Sequence, residues 1–346
     1  SSSRILQDFF NILKRGLLEK DYSYARVLQW QDREAKWLNQ AMDLYLEWQN
    51  SIILLISKLN SLNDEIKETE EGNELENILQ SLSEYSYEAS VIMEENIDQQ
   101  DKITWLECER GQVVAVASSE LDAGQVLHER LYSKLESLVM VSATLAIEES
   151  FDYFLARSGL NSFNGDERVN TLLQQSPFNY EQQARMFIIN DIPEPGERSF
   201  AETVAGVLEN LFLIMGGQVL VLFTARSQLK DVAAILRPDC DLNDIRLLVQ
   251  YEDGEFRHLV DEFIHTPRSV LMGLETFWEG IDLKGEILKC VVIIRLPFRP
   301  PTDPYCSAAD RYCRLQNKNG FQHFMLPDAA VRFKQGTGRL IRSEED

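Results

Sequence analysis

Between Arg185 and Arg295, short and continuous apolar runs alternate with amphipathic stretches, and few folds accept that pattern. The runs fall at Arg185–Asn190, Gln218–Thr224, Ile245–Gln250, Ser269–Leu274 and Lys289–Arg295. Helical spacing fills the intervals at Phe200–Met215, Gln228–Leu236 and Phe256–His265. A run without polar alternation is a strand buried on both faces, which requires helices above and below it. The pattern predicts an α/β fold, a parallel sheet with flanking helices. Ligands of such sheets sit beyond the carboxyl ends of the strands.

The first hundred residues read differently. From Arg4 to Asp98 the apolar positions recur at steps of three and four, as in Trp37, Leu38, Ala41, Met42, Tyr45, Trp48, Ile52 and Leu55. Gly72-Asn73, inside an acidic stretch, predicts a turn between two helices. An all-α domain of antiparallel helices is the expectation, since the stripe is too wide for a strict coiled-coil seam. After Ile103 the pattern predicts a short strand at Val113–Ala117, a helix over Ala123–Leu135 and a buried strand at Ser137–Ser142.

The net charge of −22 argues at first against a nucleic-acid partner. Its distribution reverses that. Residues 1–200 hold 17 basic and 35 acidic side chains, whereas residues 286–346 hold 10 basic and 7 acidic. Local charge steers a phosphate more than the total does. The five cysteines lack the paired spacing of a zinc or iron–sulfur site and read as free thiols. Asp261-Glu262-Phe263-Ile264-His265 lies on an amphipathic helical pattern and reads as a solvated face, and the four histidines form no cluster, so no metal site is expected. No apolar run reaches the roughly 18 to 20 residues of a membrane span. With no secretory signal at Ser1-Ser2-Ser3-Arg4, the cytoplasm is the expected compartment.

The chemistry concentrates in Gln335-Gly336-Thr337-Gly338-Arg339-Leu340-Ile341-Arg342. Two arginines three apart on a helix share a face, and guanidinium matches phosphate oxygens in pairs. Glycines at 336 and 338 let backbone approach where a side chain would clash. This is the equipment of an arginine finger.

Gln-x-x-Gly-Arg-x-x-Arg resembles motif VI of superfamily 2 helicases, and other motifs of that family stand in the required order. Val141-Ser142-Ala143-Thr144-Leu145 resembles motif III, Val221–Ala225 motif IV, and Gly273–Asp282 motif V. Phe277-Trp278-Glu279-Gly280-Ile281-Asp282, with Arg295-Leu296-Pro297-Phe298 after it, is similar to the DinG branch of the DinG/XPD group. The resemblance covers roughly residues 103–346. It implies an arch-like helical domain over 1–102, a return segment of the first motor domain over 103–147, and a second RecA-like domain over 148–346. It further implies that Arg339, Arg342 and Gln335 read and complete an ATP site, with Gly280, Asp282 and Gly338 beside the nucleotide. Thr224, Arg226, Thr276, Phe277 and Trp278 would line the path of single-stranded or forked DNA, and Ser142 and Thr144 would couple the two events. For Phe277 and Trp278, core packing is an equal alternative.

No phosphate loop and no Asp-Glu-x-His precedes Ser142. The expectation is a portion of an enzyme whose first motor domain, with its Mg²⁺ ligands and any iron–sulfur cysteines, lies outside this chain. The chain alone is then without ATPase activity, while the intact enzyme moves 5′ to 3′. The rival expectation is a non-catalytic module, an acidic helical arm on a degenerate motor fold that binds nucleic acid or protein.

Overall fold

The computed structural model describes residues 2–18, 25–28, 36–66, 69–95, 102–109, 112–163, 168–274, 276–277, 287–300, 303–338 and 340. In chain order the helices are α1 (Ser2–Leu18), α2 (Lys36–Ile66), α3 (Glu70–Ser90), α4 (Ala123–Arg130), α5 (Asp152–Ser158), α6 (Tyr180–Gln183), α7 (Phe200–Met215), α8 (Arg226–Leu242), α9 (Phe256–His265), α10 (Pro304–Leu315) and α11 (Leu326–Thr337). The strands are β1 (Ala25–Leu28), β2 (Lys102–Glu109), β3 (Gln112–Glu120), β4 (Val219–Leu222), β5 (Arg246–Val249), β6 (Ser269–Gly273) and β7 (Cys290–Ile293). The chain forms two compact units. One comprises Ser1–Leu135, Arg157–Gly159 and Arg299–Phe324; the other comprises Glu136–Ala156, Leu160–Phe298 and Met325–Asp346.

In the first unit α1, α2 and the sheet close on Phe9, Leu13, Trp37, Leu38, Ala41, Tyr45, Met93, Leu106 and Val113. Each large side chain buried there contributes about 1.5–3 kcal/mol. The sheet is antiparallel in the order β1-β2-β3, with a bulge between Glu107 and Cys108. Residues 1–102 are therefore not all-α: β1 lies inside them. A four-residue strand shows too few side chains to display a period, and its pairing with Thr104–Glu107 is a long-range contact. Gly72 and Asn73 also sit elsewhere than expected, in the first turn of α3. The Thr69 hydroxyl accepts from the Gly72 amide and starts that helix two residues earlier than the glycine suggests.

Residues 299–324 join this unit. Asp303 caps α10 by accepting from the amides of Tyr305 and Cys306, with Pro304 in the first turn. The Tyr305 hydroxyl donates to the Leu121 carbonyl at 2.7 Å and accepts from Arg157. The Arg157 guanidinium also lies over the Tyr305 and Phe324 rings, 5.2 and 5.3 Å from their centroids.

The second unit holds a four-stranded sheet in the order β5-β6-β4-β7, all pairs parallel. Strand alternation divides its side chains between two cores. Val219, Val221, Leu247, Val249, Val270 and Met272 pack with Leu208 and Phe212 of α7 and Leu229, Val232 and Leu236 of α8. Leu220, Leu222, Leu248 and Leu271 face the other way, toward Leu259 and Phe263 of α9. Both faces are covered, as continuous apolar runs demand. Two expected strands do not form. Ser137–Ser142 and Arg185–Asn190 lack ladder pairing, and Val139, Val141 and Phe187 are 84%, 89% and 84% exposed. A strand needs a neighbouring backbone to bond with, and among the described residues none runs beside either segment.

Candidate nucleic-acid interface

The carboxyl ends of β4, β5 and β6 deliver a polar edge. Beyond β4 the chain passes through half-buried Thr224 and enters α8 at exposed Arg226. Beyond β5 come Gln250 and Tyr251, and beyond β6 come Leu274 and Thr276. Main-chain bonds hold these exits side by side: Phe223 N–H donates to Gly273 O at 2.9 Å, and Gln250 N–H to Met272 O at 3.0 Å. The structure thus brings Thr224, Arg226 and Thr276 to one edge of the sheet.

Gln250 fixes that edge and was not singled out from the sequence. Its side chain, only 6% exposed, donates from Nε2 to Thr276 Oγ1 at 2.8 Å and accepts from the Leu274 amide at 2.7 Å. A polar residue closing an apolar run carries a readable signal, since burial demands partners, but the sequence does not say which. Gln250→Leu leaves the Leu274 amide and the Thr276 hydroxyl without those bonds. A loss of about 1–3 kcal/mol in urea unfolding is expected; a variant as stable as the parent would show the clamp to be idle.

Tyr251, the next residue, was also missed. The Arg226 guanidinium lies over its ring, 4.4 Å from the centroid. Glu252 and Asp253 follow immediately and bring negative charge. Arg237 of α8 takes both, at 3.0 and 3.1 Å, while Asp253 also accepts from the Val249 amide at 2.8 Å. Burial lowers the Arg237 pKa, but its bonds to Asp253 and Glu252 outweigh that and raise it overall.

Phe277 corrects the expected strand path. Its ring is fully buried, packed with Leu220, Leu222, Leu248 and Leu271, and lies 4.8 Å from the Phe256 ring. It cannot stack on a base there: the apolar gain of the core decides its place. A Cβ at Gly273 would collide with that ring, so the close approach of strand and aromatic needs glycine. Trp278, Gly280 and Asp282 lie outside the described residues.

The terminal motif begins at the end of α11. Gln335 lies in the last turn, and its Oε1 is buried with no hydrogen-bond partner among the described residues. Gly338 closes the helix, its amide donating to Lys334 O at 3.0 Å, and an added Cβ would meet the same oxygen. Arg339 and Arg342 lie outside the described residues. Ser142 and Thr144 share a local turn, with hydroxyl oxygens 3.1 Å apart and the Thr144 amide donating to Ser142 Oγ at 3.2 Å. Lys334 Nζ donates to the carbonyl of Ala146 at 3.3 Å, which brings the residue before Gln335 within two positions of Thr144. Only its place beside Gln335 could have pointed to Lys334.

All five cysteines are free, and burial, with Asp241 and Asp239 nearby, pushes the Cys240 thiol up to about 11. Among the described residues no group of three His, Cys, Asp or Glu side chains is placed to hold a metal, and no helix is long and apolar enough to cross a membrane.

Residues 208–346 match the helicase C-terminal domain family. DinG of Bacillus subtilis, named a 3′-5′ exonuclease, is 34% identical over 253 residues, covering 71% of this chain and 27% of that protein. The ATP-dependent DNA helicase DinG of Photobacterium profundum is 28% identical over 370 residues, covering 99% of this chain and 50% of its own. A solved structure titled XPD helicase aligns with 93% of this chain and 60% of its own at a TM-score of 0.48 and 15% identity. Residues 208–346 thus carry the helicase C-terminal domain, and the chain is similar over most of its length to DinG proteins. It spans between 27% and 50% of the length of the two DinG relatives.

Proposed function

We propose that this chain is the strand-gripping and nucleotide-sensing portion of an ATP-dependent DNA helicase. The observation that carries the reading is the polar edge, where Thr224, Arg226 and Thr276 stand at adjoining strand ends with Gln250 bonded to Thr276 beneath them. Hydroxyls, guanidinium and the amides of the first turn of α8, which has no side-chain cap, are the groups that position phosphates. Base-independent contacts of this kind let a motor travel along any sequence.

The nucleotide half of the reading rests on Gln335. A buried amide oxygen without a partner fits a group that completes its bonding only when the ATP site is assembled. Arg339 and Arg342, next on the chain, would hold the terminal phosphate, with Gly338, Gly280 and Asp282 beside the nucleotide. ATP supplies the phosphoryl chemistry; this chain supplies charge stabilisation and a sensor. The bond from Lys334 to Ala146, two residues beyond Thr144, gives Ser142 and Thr144 a route by which nucleotide state reaches the strand. In this reading residues 1–102 are the arch-like domain, 103–147 return to the first motor domain and 148–346 form the second. The remaining partners are that first motor domain, with the Mg²⁺ ligands, and single-stranded or forked DNA in the cytoplasm.

Two results are expected of the 346-residue chain. It binds a single-stranded thymidine oligonucleotide in fluorescence anisotropy, with an affinity that falls steeply as salt rises. It also turns over no ATP, because the phosphate cradle belongs to the other motor domain. Absence of binding at low salt, or ATP turnover by the pure chain, would contradict the proposal.

A further inference from the structure

Tyr251 is held in a conformation that its side chain disfavours. Its φ is +72°, in the left-handed region where glycine is the natural occupant and a bulky aromatic is an outlier. Yet no apolar burial accounts for it, since the residue is 52% exposed. Large aromatic rings normally gain by burial, and this one is kept at the surface in a strained backbone state. It stands at the carboxyl end of β5, directly after the Gln250 clamp and beneath the Arg226 guanidinium. Both members of the acidic pair that follows are bonded to Arg237, which offsets one of their two charges and holds the carboxylates toward α8.

We propose that Tyr251 is the stacking platform of the strand path: one unpaired base of the bound DNA lies on its ring, with Arg226 as the cationic partner of the same stack. The inference rests on the reading of this edge as a single-strand interface and adds a base contact to its phosphate contacts. Phe277, one of the two aromatics expected along the strand path, is taken by the core. A base and a guanidinium both seek the π-face, so Arg226 either completes a sandwich or moves to a neighbouring phosphate when the base arrives. Tyr251 is a binding and positioning residue here and takes part in no bond change.

The test compares a thymidine oligonucleotide with an abasic oligonucleotide of the same length and charge, using the 346-residue chain and its variants. The parent is expected to prefer the strand that carries bases. Tyr251→Ala lowers affinity for that strand by at least about fivefold, removes the preference and leaves abasic binding unchanged. Tyr251→Trp retains the preference. Tyr251→Gly separates function from structure: relief of the positive φ holds or raises the melting temperature while the base-dependent affinity is lost. Equal binding of both oligonucleotides by the parent, or an unchanged preference in Tyr251→Ala and Tyr251→Gly, would overturn the platform while leaving the phosphate-binding edge in place. Failure of the parent to bind either strand would overturn the interface itself.

Discussion

Alanine at Arg339 or at Arg342 of the intact enzyme is expected to lower DNA-stimulated ATP turnover by about 10³-fold or more, with the fold unchanged. Charge is the reason. Phosphoryl transfer spreads negative charge over oxygens that only fixed cations or amides stabilise, and guanidinium does so with paired donors. A spacing of three is the one at which two side chains share a helix face, and Arg339 follows in sequence four positions after Gln335, whose side-chain oxygen is buried. Lysine at either position keeps charge but loses the fork, so it recovers only part of the rate. Steady-state turnover with saturating DNA, beside circular dichroism of each variant, decides the matter. Near-normal rates in both alanine variants would remove the finger assignment.

The largest loss of stability is expected at Phe277. Truncation to alanine costs about 3–5 kcal/mol, because a fully buried ring leaves a cavity among residues that cannot all collapse into it. The effect reaches the interface. Thr276 is the adjacent residue, and the Phe277 amide closes a turn on the carbonyl of Leu274, the residue whose own amide Gln250 holds. Loosening the ring is therefore expected to loosen the proposed strand contact beside it. Urea unfolding measures the first effect and oligonucleotide binding the second. A loss below about 1 kcal/mol would mean that the ring is not packed as described.

Much of the second unit was legible because its signals are local. Helices α7 and α9 fall on the predicted Phe200–Met215 and Phe256–His265, where helical spacing coincides with an amphipathic face. Strands β4 to β7 lie within the predicted apolar runs, since burial on both faces leaves no polar alternation to confuse the period. The same signal misleads at Ser137–Ser142 and Arg185–Asn190, where the composition suits a strand but no partner backbone among the described residues is alongside. Composition reports what a segment buries in the right company; it does not supply the company. β1 is lost for the opposite reason, being made by pairing alone.

The candidate site divides in the same way. The positions of Thr224, Arg226 and Thr276 beyond the strand ends are readable because the motifs fall at the ends of apolar runs. Gln250 and Tyr251 are not, since the worth of each depends on a neighbour 25 or 26 positions away: Thr276 for the first, Arg226 for the second. Phe277 shows the limit of a motif. Its identity is fixed by the pattern, but whether an aromatic serves a base or a core is settled by packing. Lys334 adds the converse case, a residue without a motif role whose ammonium reaches the segment after Thr144.

Strand separation tests the helicase assignment most directly. The intact protein is given a forked DNA duplex with a 5′ single-stranded tail and a fluorophore–quencher pair, with and without ATP. Release of the labelled strand only with ATP, abolished by Arg342→Ala in a folded protein, is the predicted result. A protein that binds the fork but neither hydrolyses ATP nor separates the strands would contradict the assignment.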